Sequence, residues 1–122
     1  FAHSKKLIDS ISGKVPVIHF GTGNSSLLPL MKEAGGDVMA LDWRAPLKES
    51  WELLGCKAVQ GNMDPIALFG SVDSVRQAAG LILEEVGGRP GHIFNLGHGI
   101  LPETPVENVK ALVEFVQGYQ TS

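Results

Sequence analysis

Four short apolar runs, each closed by glycine-rich or polar residues and each followed by a helical pattern, constrain this chain more than any other feature. They are residues 15–20, running into Gly21-Thr22-Gly23-Asn24-Ser25-Ser26; 38–41, into Asp42-Trp43-Arg44-Ala45-Pro46; 58–60, into Gly61-Asn62-Met63-Asp64-Pro65; and 92–96, into Gly97-His98-Gly99. Nearly unbroken apolar strands that alternate with helices predict a parallel sheet covered on both faces. The helices carry start signals of their own. Asn24 or Ser25 is placed to cap a helix over Leu27, Leu28, Leu30 and Met31, with Pro29 in its first turn. Pro46 falls in the first turn of residues 47–54, Asp64-Pro65 opens a helical turn through Phe69, and Ser71 caps residues 72–86. Thr104-Pro105-Val106-Glu107 has the form of a capping box and leads into Val109, Leu112, Val113 and Val116 at helical period. Phe1, Leu7, Ile8 and Ile11 add a helix in front, ended near Gly13.

The α/β string that results fits either a doubly wound open sheet or part of a (β/α)8 barrel. In both, the polar loops gather at the carboxyl edge of the sheet, where sites form. A whole barrel takes about 250 residues and eight strands, so 122 residues with four units make half of one. A free half-barrel would expose two parallel edge strands. The chain also opens on Phe1 without a capping residue. The expectation is therefore a single segment, residues 1–122, that forms a half-barrel of a longer protein.

Composition narrows the function classes. An apolar share of 43% with 19% charged residues is that of a globular chain. One cysteine, Cys56, excludes a disulfide framework and a cysteine-rich zinc module within the chain. Ten basic residues scattered through a chain of net charge −3 form no stripe for nucleic acid. No apolar run approaches the roughly 18 residues of a membrane span. A soluble protein of the cytoplasm or an organelle interior is expected.

Gly97-His98-Gly99 is the sharpest local feature: a histidine between glycines at a strand's carboxyl end is free to point into a shared mouth. Its ordinary pKa near 6.5 suits it to protons or anions. Its plain alternative is a loop histidine satisfied by backbone carbonyls. The turn over Gly21-Thr22-Gly23-Asn24-Ser25 resembles an anion cradle but lacks a dinucleotide or phosphate-loop pattern. Asp42 and Arg44 form a strand-end pair that is either structural or substrate-binding. Asn62 and Asp64 read first as turn and cap residues. His19 reads as a packed strand histidine, His3 as a solvent-facing helix residue, and His92 and Arg89 lie at the amino end of the fourth strand. Cys56 lies at the same far end with no histidine or cysteine at ligand spacing, so no metal site is expected.

Four stretches taken together are more specific: Ala40-Leu41-Asp42-Trp43, Val59-Gln60-Gly61-Asn62-Met63-Asp64-Pro65, Phe94-Asn95-Leu96-Gly97-His98-Gly99-Ile100, and the helix start at Thr104-Pro105. In this order and spacing they resemble the carboxyl-terminal portion of the uroporphyrinogen decarboxylases. The resemblance implies a (β/α)8 TIM barrel of which these are the last four βα units. It also implies cofactor-independent decarboxylation of the four acetate side chains of uroporphyrinogen to coproporphyrinogen, in heme and chlorophyll biosynthesis, by a homodimeric enzyme. In that family, amino-terminal arginines bind carboxylates, an aspartate contacts the pyrrole nitrogens, a tyrosine and a serine assist, and the histidine of the Asn-Leu-Gly-His-Gly stretch completes the cleft. Of these positions only the histidine is matched here, by His98, as a catalytic or substrate-binding group.

Tyr119 lies in the last helix and does not replace the family tyrosine. Of the three arginines, Arg44, Arg76 and Arg89, only Arg44 lies at the carboxyl edge, where it is a further candidate for the substrate. One arginine does not neutralise an octacarboxylate, so residues 1–122 alone are expected to be inactive. A plastid setting would follow for a photosynthetic eukaryote. Two other readings stand beside this one. The first is a corrinoid-dependent methyltransferase of the same superfamily, which would need zinc ligands from elsewhere. The second is a non-catalytic α/β binding module.

Overall fold

Pro16 decides where the first strand begins. It has no N–H to give, and the next amide, that of Val17, is taken by the Asp37 carboxylate at 2.7 Å. The sheet ladder therefore starts at Ile18, three residues later than the apolar run. In the computed structural model, which describes residues 1–23 and 25–120, the order is α1 (Ala2–Ile11), β1 (Ile18–Phe20), α2 (Leu28–Ala34), β2 (Val38–Ala40), α3 (Leu47–Leu54), β3 (Val59–Gln60), α4 (Val72–Val86), β4 (His92–Ile93) and α5 (Val106–Gly118). Short 3-10 turns over Ser25–Leu27 and Pro65–Phe69 precede α2 and α4.

The four strands are parallel and lie in chain order, β1-β2-β3-β4. That order separates the two architectures left open by the sequence. A doubly wound sheet reverses direction partway across. Here every step advances to the next strand, and right-handed crossovers then place every helix on the same face. The helices meet accordingly, α1 on α2, α2 on α3, α3 on α4 and α4 on α5. This α/β chain is a singly wound arc of the kind that forms the wall of a (β/α)8 barrel.

Register fixes two rows of side chains. Met39 pairs with His19 and Val59, and Val59 pairs with His92. Met39 and Val59 of this row are buried with Leu28, Met31, Leu47, Trp51 and Leu54 from α2 and α3. The alternate row, Phe20–Ala40–Gln60–Ile93, faces away. Cover on both faces, expected from the continuous apolar strands, is therefore not what this chain has. Ile18, Phe20 and Ile93 are 49%, 47% and 43% exposed, because a singly wound arc supplies helices to one face only. A second cluster, Met63, Leu68, Val75, Ala79 and Leu112, joins α4 to α5, and Ile82 of α4 touches both clusters.

Two cap expectations hold, and the one at Thr104 does not. Asp64 accepts from the Ile66 amide at 3.0 Å and Ser71 from the Ser74 amide at 3.1 Å. Pro29 lies in the first turn of α2, but Ser25 sits in the preceding 3-10 turn and α2 has no side-chain cap; Asn24 lies outside the described residues. The capping box at Thr104 does not form. Pro105 is itself the cap residue, the Thr104 amide that Glu107 would accept from donates to the Leu101 carbonyl at 3.1 Å, and the Thr104 hydroxyl donates to the same carbonyl at 2.7 Å.

His92 meets the Gly61 carbonyl through Nε2 at 2.6 Å, and its ring lies 6.5 Å from Trp51 and 6.1 Å from Phe94. Burial against these groups pushes its pKa below the ordinary 6.5, although the bond to Gly61 favours the charged ring. The unfolded imidazole takes up a proton near pH 6.5, the folded one only at lower pH, so stability is expected to fall as pH drops through that window. Denaturation midpoints between pH 7.5 and 5.5 check this. In His92→Gln the histidine-linked part of the slope should vanish.

Candidate functional site

The open face of the sheet ends in a cavity of about 450 Å³ at its carboxyl edge. Its floor is the outward row, Phe20, Ala40 and Gln60, and its rim is Asn95, Leu96, His98, Gly99 and Ile100 from the segment after β4. The rim is built on the sheet itself. Beyond the last paired residue of β3, the Gly61 amide donates to the Ile93 carbonyl at 3.0 Å and the Met63 amide to that of Asn95 at 3.1 Å. Met63 also bridges in parallel to Leu96. The fourth apolar run is thus half strand, half extended rim.

The glycines flanking His98 differ. A Cβ on Gly97 would lie 2.2 Å from the Trp43 nitrogen and 2.5 Å from its Cα, whereas one on Gly99 would meet nothing within 4 Å. Gly97 is the point where the loops after β2 and β4 touch, and its carbonyl accepts from the Trp43 amide at 3.3 Å. Gly99 leaves the far side of His98 open. The imidazole is exposed, with Nδ1 3.3 Å from the Gly99 carbonyl.

Arg44 does not line this cavity. Its Nη1 lies 3.1 Å from both carboxylate oxygens of Asp42, and its guanidinium sits 4.5 Å from the centre of the Trp43 ring. It borders a separate cleft of about 360 Å³ with Trp43, Asp64, Leu81 and Glu85. Asp42 is buried beneath it. Burial pushes its carboxyl pKa up, but the Arg44 and Gly23 amides and the Arg44 guanidinium outweigh this and hold it below the ordinary value. The anion that the Gly21–Gly23 turn cradles is therefore internal: the Gly23 amide points at Asp42 Oδ2, 3.3 Å away.

The remaining candidates are structural in their surroundings. His19 Nδ1 lies 3.0 Å from the Gly35 carbonyl, and the Cys56 thiol faces the Ala58 carbonyl at 3.4 Å, at the amino end of β3. His3 is exposed on α1. Asn62 is a buried tie that the sequence reading assigned only to a turn. Its Nδ2 donates to the carbonyls of Asp42, at 3.0 Å, and of Ala45. Only its place after the Val59-Gln60-Gly61 strand end hinted at that inward direction. Among the described residues, no three of His, Cys, Asp and Glu form a cluster suited to a metal ion, and no helix is long and apolar enough to cross a membrane.

Comparison with known proteins places these features. The family model described as uroporphyrinogen decarboxylase (URO-D) matches residues 1–119. Uroporphyrinogen decarboxylases from Koribacter versatilis and Solibacter usitatus are 53% and 52% identical over 111 and 120 residues, covering 90% and 97% of this chain but 32% and 35% of those proteins. One from Thermus thermophilus is 53% identical over 116 residues, covering 94% of the chain and 34% of that protein. The chain thus spans about a third of the length of the curated relatives it matches. Among solved structures, a methyltransferase from Methanosarcina mazei superposes with a TM-score of 0.75 at 27% identity, over 95% of this chain and 34% of that one.

Proposed function

The chain belongs to the uroporphyrinogen decarboxylase family, and from that membership we propose that residues 1–122 form the last four βα units of a complete barrel whose other strands come from sequence outside them. The complete enzyme removes carbon dioxide from the four acetate side chains of uroporphyrinogen, acting in the cytoplasm as a homodimer. The observation that carries this reading is the cavity on the open sheet face, in which an exposed imidazole, two amides and an aromatic ring converge: His98, Gln60, Asn95 and Phe20.

The chemistry asks little of this half. Protonation of a pyrrole ring carbon next to the acetate-bearing position makes the ring an iminium-type electron sink. The bond from the acetate methylene to its carboxyl carbon then breaks, its electron pair moves into the ring, and carbon dioxide leaves. Protonation of the exocyclic methylene and loss of the ring proton leave a methyl group. Phe20 and Leu96 give the pyrrole rings an apolar wall, and His98 hydrogen-bonds a substrate carboxylate or relays a proton at the rim. The cationic groups that hold the other carboxylates come from the remainder of the barrel, since Arg44 is engaged by Asp42.

A hydrogen bond from a charged imidazole to a carboxylate contributes about 1.5–3 kcal/mol. His98→Ala in the complete enzyme is therefore expected to lower kcat/KM by roughly 10- to 150-fold. The melting temperature should stay unchanged, because the ring's recorded partner is one neighbouring carbonyl on the surface. Unchanged kinetics through all four decarboxylations would remove His98 from the mechanism.

The structural neighbour favours a second reading, a methyltransferase. Against it stands the position of Cys56, the chain's one thiol, at the opposite end of the sheet from His98. Metal analysis of the complete protein separates the two: stoichiometric zinc with methyl transfer, or decarboxylation of uroporphyrinogen.

A further inference from the structure

The hydrogen bonds at the carboxyl edge converge on two consecutive residues outside the cavity, Asp42 and Trp43. The Asp42 carboxylate, in a residue 2% exposed, accepts from the Gly23 amide at 3.3 Å, the Arg44 amide at 2.9 Å and Arg44 Nη1 at 3.1 Å. Its backbone carbonyl accepts from Asn62 Nδ2 at 3.0 Å. One residue on, the Trp43 amide donates to the Gly97 carbonyl at 3.3 Å, and the Gly97 amide donates to the Met63 carbonyl at 2.8 Å. The loops that follow β1, β2, β3 and β4 are thereby all tied to a single step of backbone.

The Asp42 carboxylate is buried but the Arg44 guanidinium that pairs with it is half exposed to solvent, so the ion pair by itself is a poor source of net stability. What it supplies well is one fixed geometry. The contact it fixes here has no slack, since Gly97 meets Trp43 with no room for a methyl group. The residue after Gly97 is His98, whose direction into the cavity follows from where Gly97 sits.

We propose that Asp42 is a positioning residue for His98: its carboxylate clamps the Asp42–Trp43 step, and that step seats Gly97 and aims the imidazole at the cavity. The kinetic side of this proposal rests on the decarboxylase reading; the geometric side does not. Asp42 lines neither the cavity nor the separate cleft beside Arg44, so it acts through its neighbours and not on a substrate.

The test is Asp42→Asn in the complete enzyme, alone and with His98→Ala. Asparagine keeps the shape but turns an amide donor toward groups that are themselves donors. The single variant is expected to lose roughly ten- to hundredfold in kcat/KM, the scale of a misplaced reacting group. In the His98→Ala background the same change should cost less than about twofold, because the group it positions is gone. An equal loss in both backgrounds overturns the proposal.

Hydrogen exchange supplies an arm independent of activity. The Gly97 amide, which donates to the Met63 carbonyl, should exchange at least about tenfold faster in Asp42→Asn while those of β2 and β3 keep their protection. Unchanged exchange at Gly97 overturns the proposal even if the wild-type protein decarboxylates nothing, a result that would sink the decarboxylase reading separately. Should Asp42→Asn not fold, Arg44→Met removes one of the carboxylate's donors while sparing the backbone amides. It is expected to show the same background dependence and faster exchange at Gly97, and their absence counts against the proposal.

Discussion

Gly97→Ala is expected to destabilise the complete enzyme by about 3 kcal/mol or more, at the upper end of the cost of overpacking. The added methyl group would lie 2.2, 2.5 and 2.7 Å from the nitrogen, Cα and Cβ of Trp43. Two of these atoms are backbone, so no side-chain rotation relieves the collision. The loop after β4 has to move away from the loop after β2, and the Trp43–Gly97 hydrogen bond goes with it. Gly99→Ala is the control, with open space around the new methyl group and an expected change within about 0.5 kcal/mol. Urea midpoints of the two variants check both values. Equal midpoints would mean that the loops do not touch as described.

The second large effect is expected at Trp51, 2% exposed in the cluster between the sheet and α3. Its indole N–H donates to the Cys56 carbonyl at 2.9 Å, and the Arg89 guanidinium covers the ring at 4.0 Å. Trp51→Ala removes the largest fully buried side chain and should cost about 3–5 kcal/mol. Trp51→Phe keeps an aromatic ring but leaves the Cys56 carbonyl without this donor, for about 1–2 kcal/mol. Both bonded neighbours precede β3 and β4, at the amino end of the sheet and away from the cavity. Activity per folded molecule should therefore be unchanged in Trp51→Phe, which denaturant midpoints and kcat on the same sample test together.

Much of this was legible in the chain. The starts of Leu47–Leu54 and Val72–Val86 were readable because Pro46 and Ser71 mark them with local stereochemistry, and the structure adds αL glycines 55 and 87 at their ends. Strand positions were readable but their lengths were not. An apolar run records burial, whereas a strand ends where partners stop pairing, as at Pro16 and beyond Ile93. Thr104 shows the same limit at a helix start: its spacing matched a capping box, yet the Leu101 carbonyl takes both its amide and its hydroxyl, and the cap position falls to Pro105. The sequence put Arg44 at the correct edge of the sheet but could not say which of two neighbouring clefts it borders.

Local pattern alone was sufficient for the βα alternation, for the edge at which the polar loops gather and for the placing of His98 there, because strand direction and loop position follow from chain order. The uncovered sheet face, the inequality of the two glycines beside His98 and the burial of Asp42 emerged only with the tertiary structure. Each depends on contacts between residues far apart in the chain, Gly23 with Asp42, Asp42 with Asn62, Trp43 with Gly97. Sequence spacing carries no record of such distances; they exist only once the strands lie side by side.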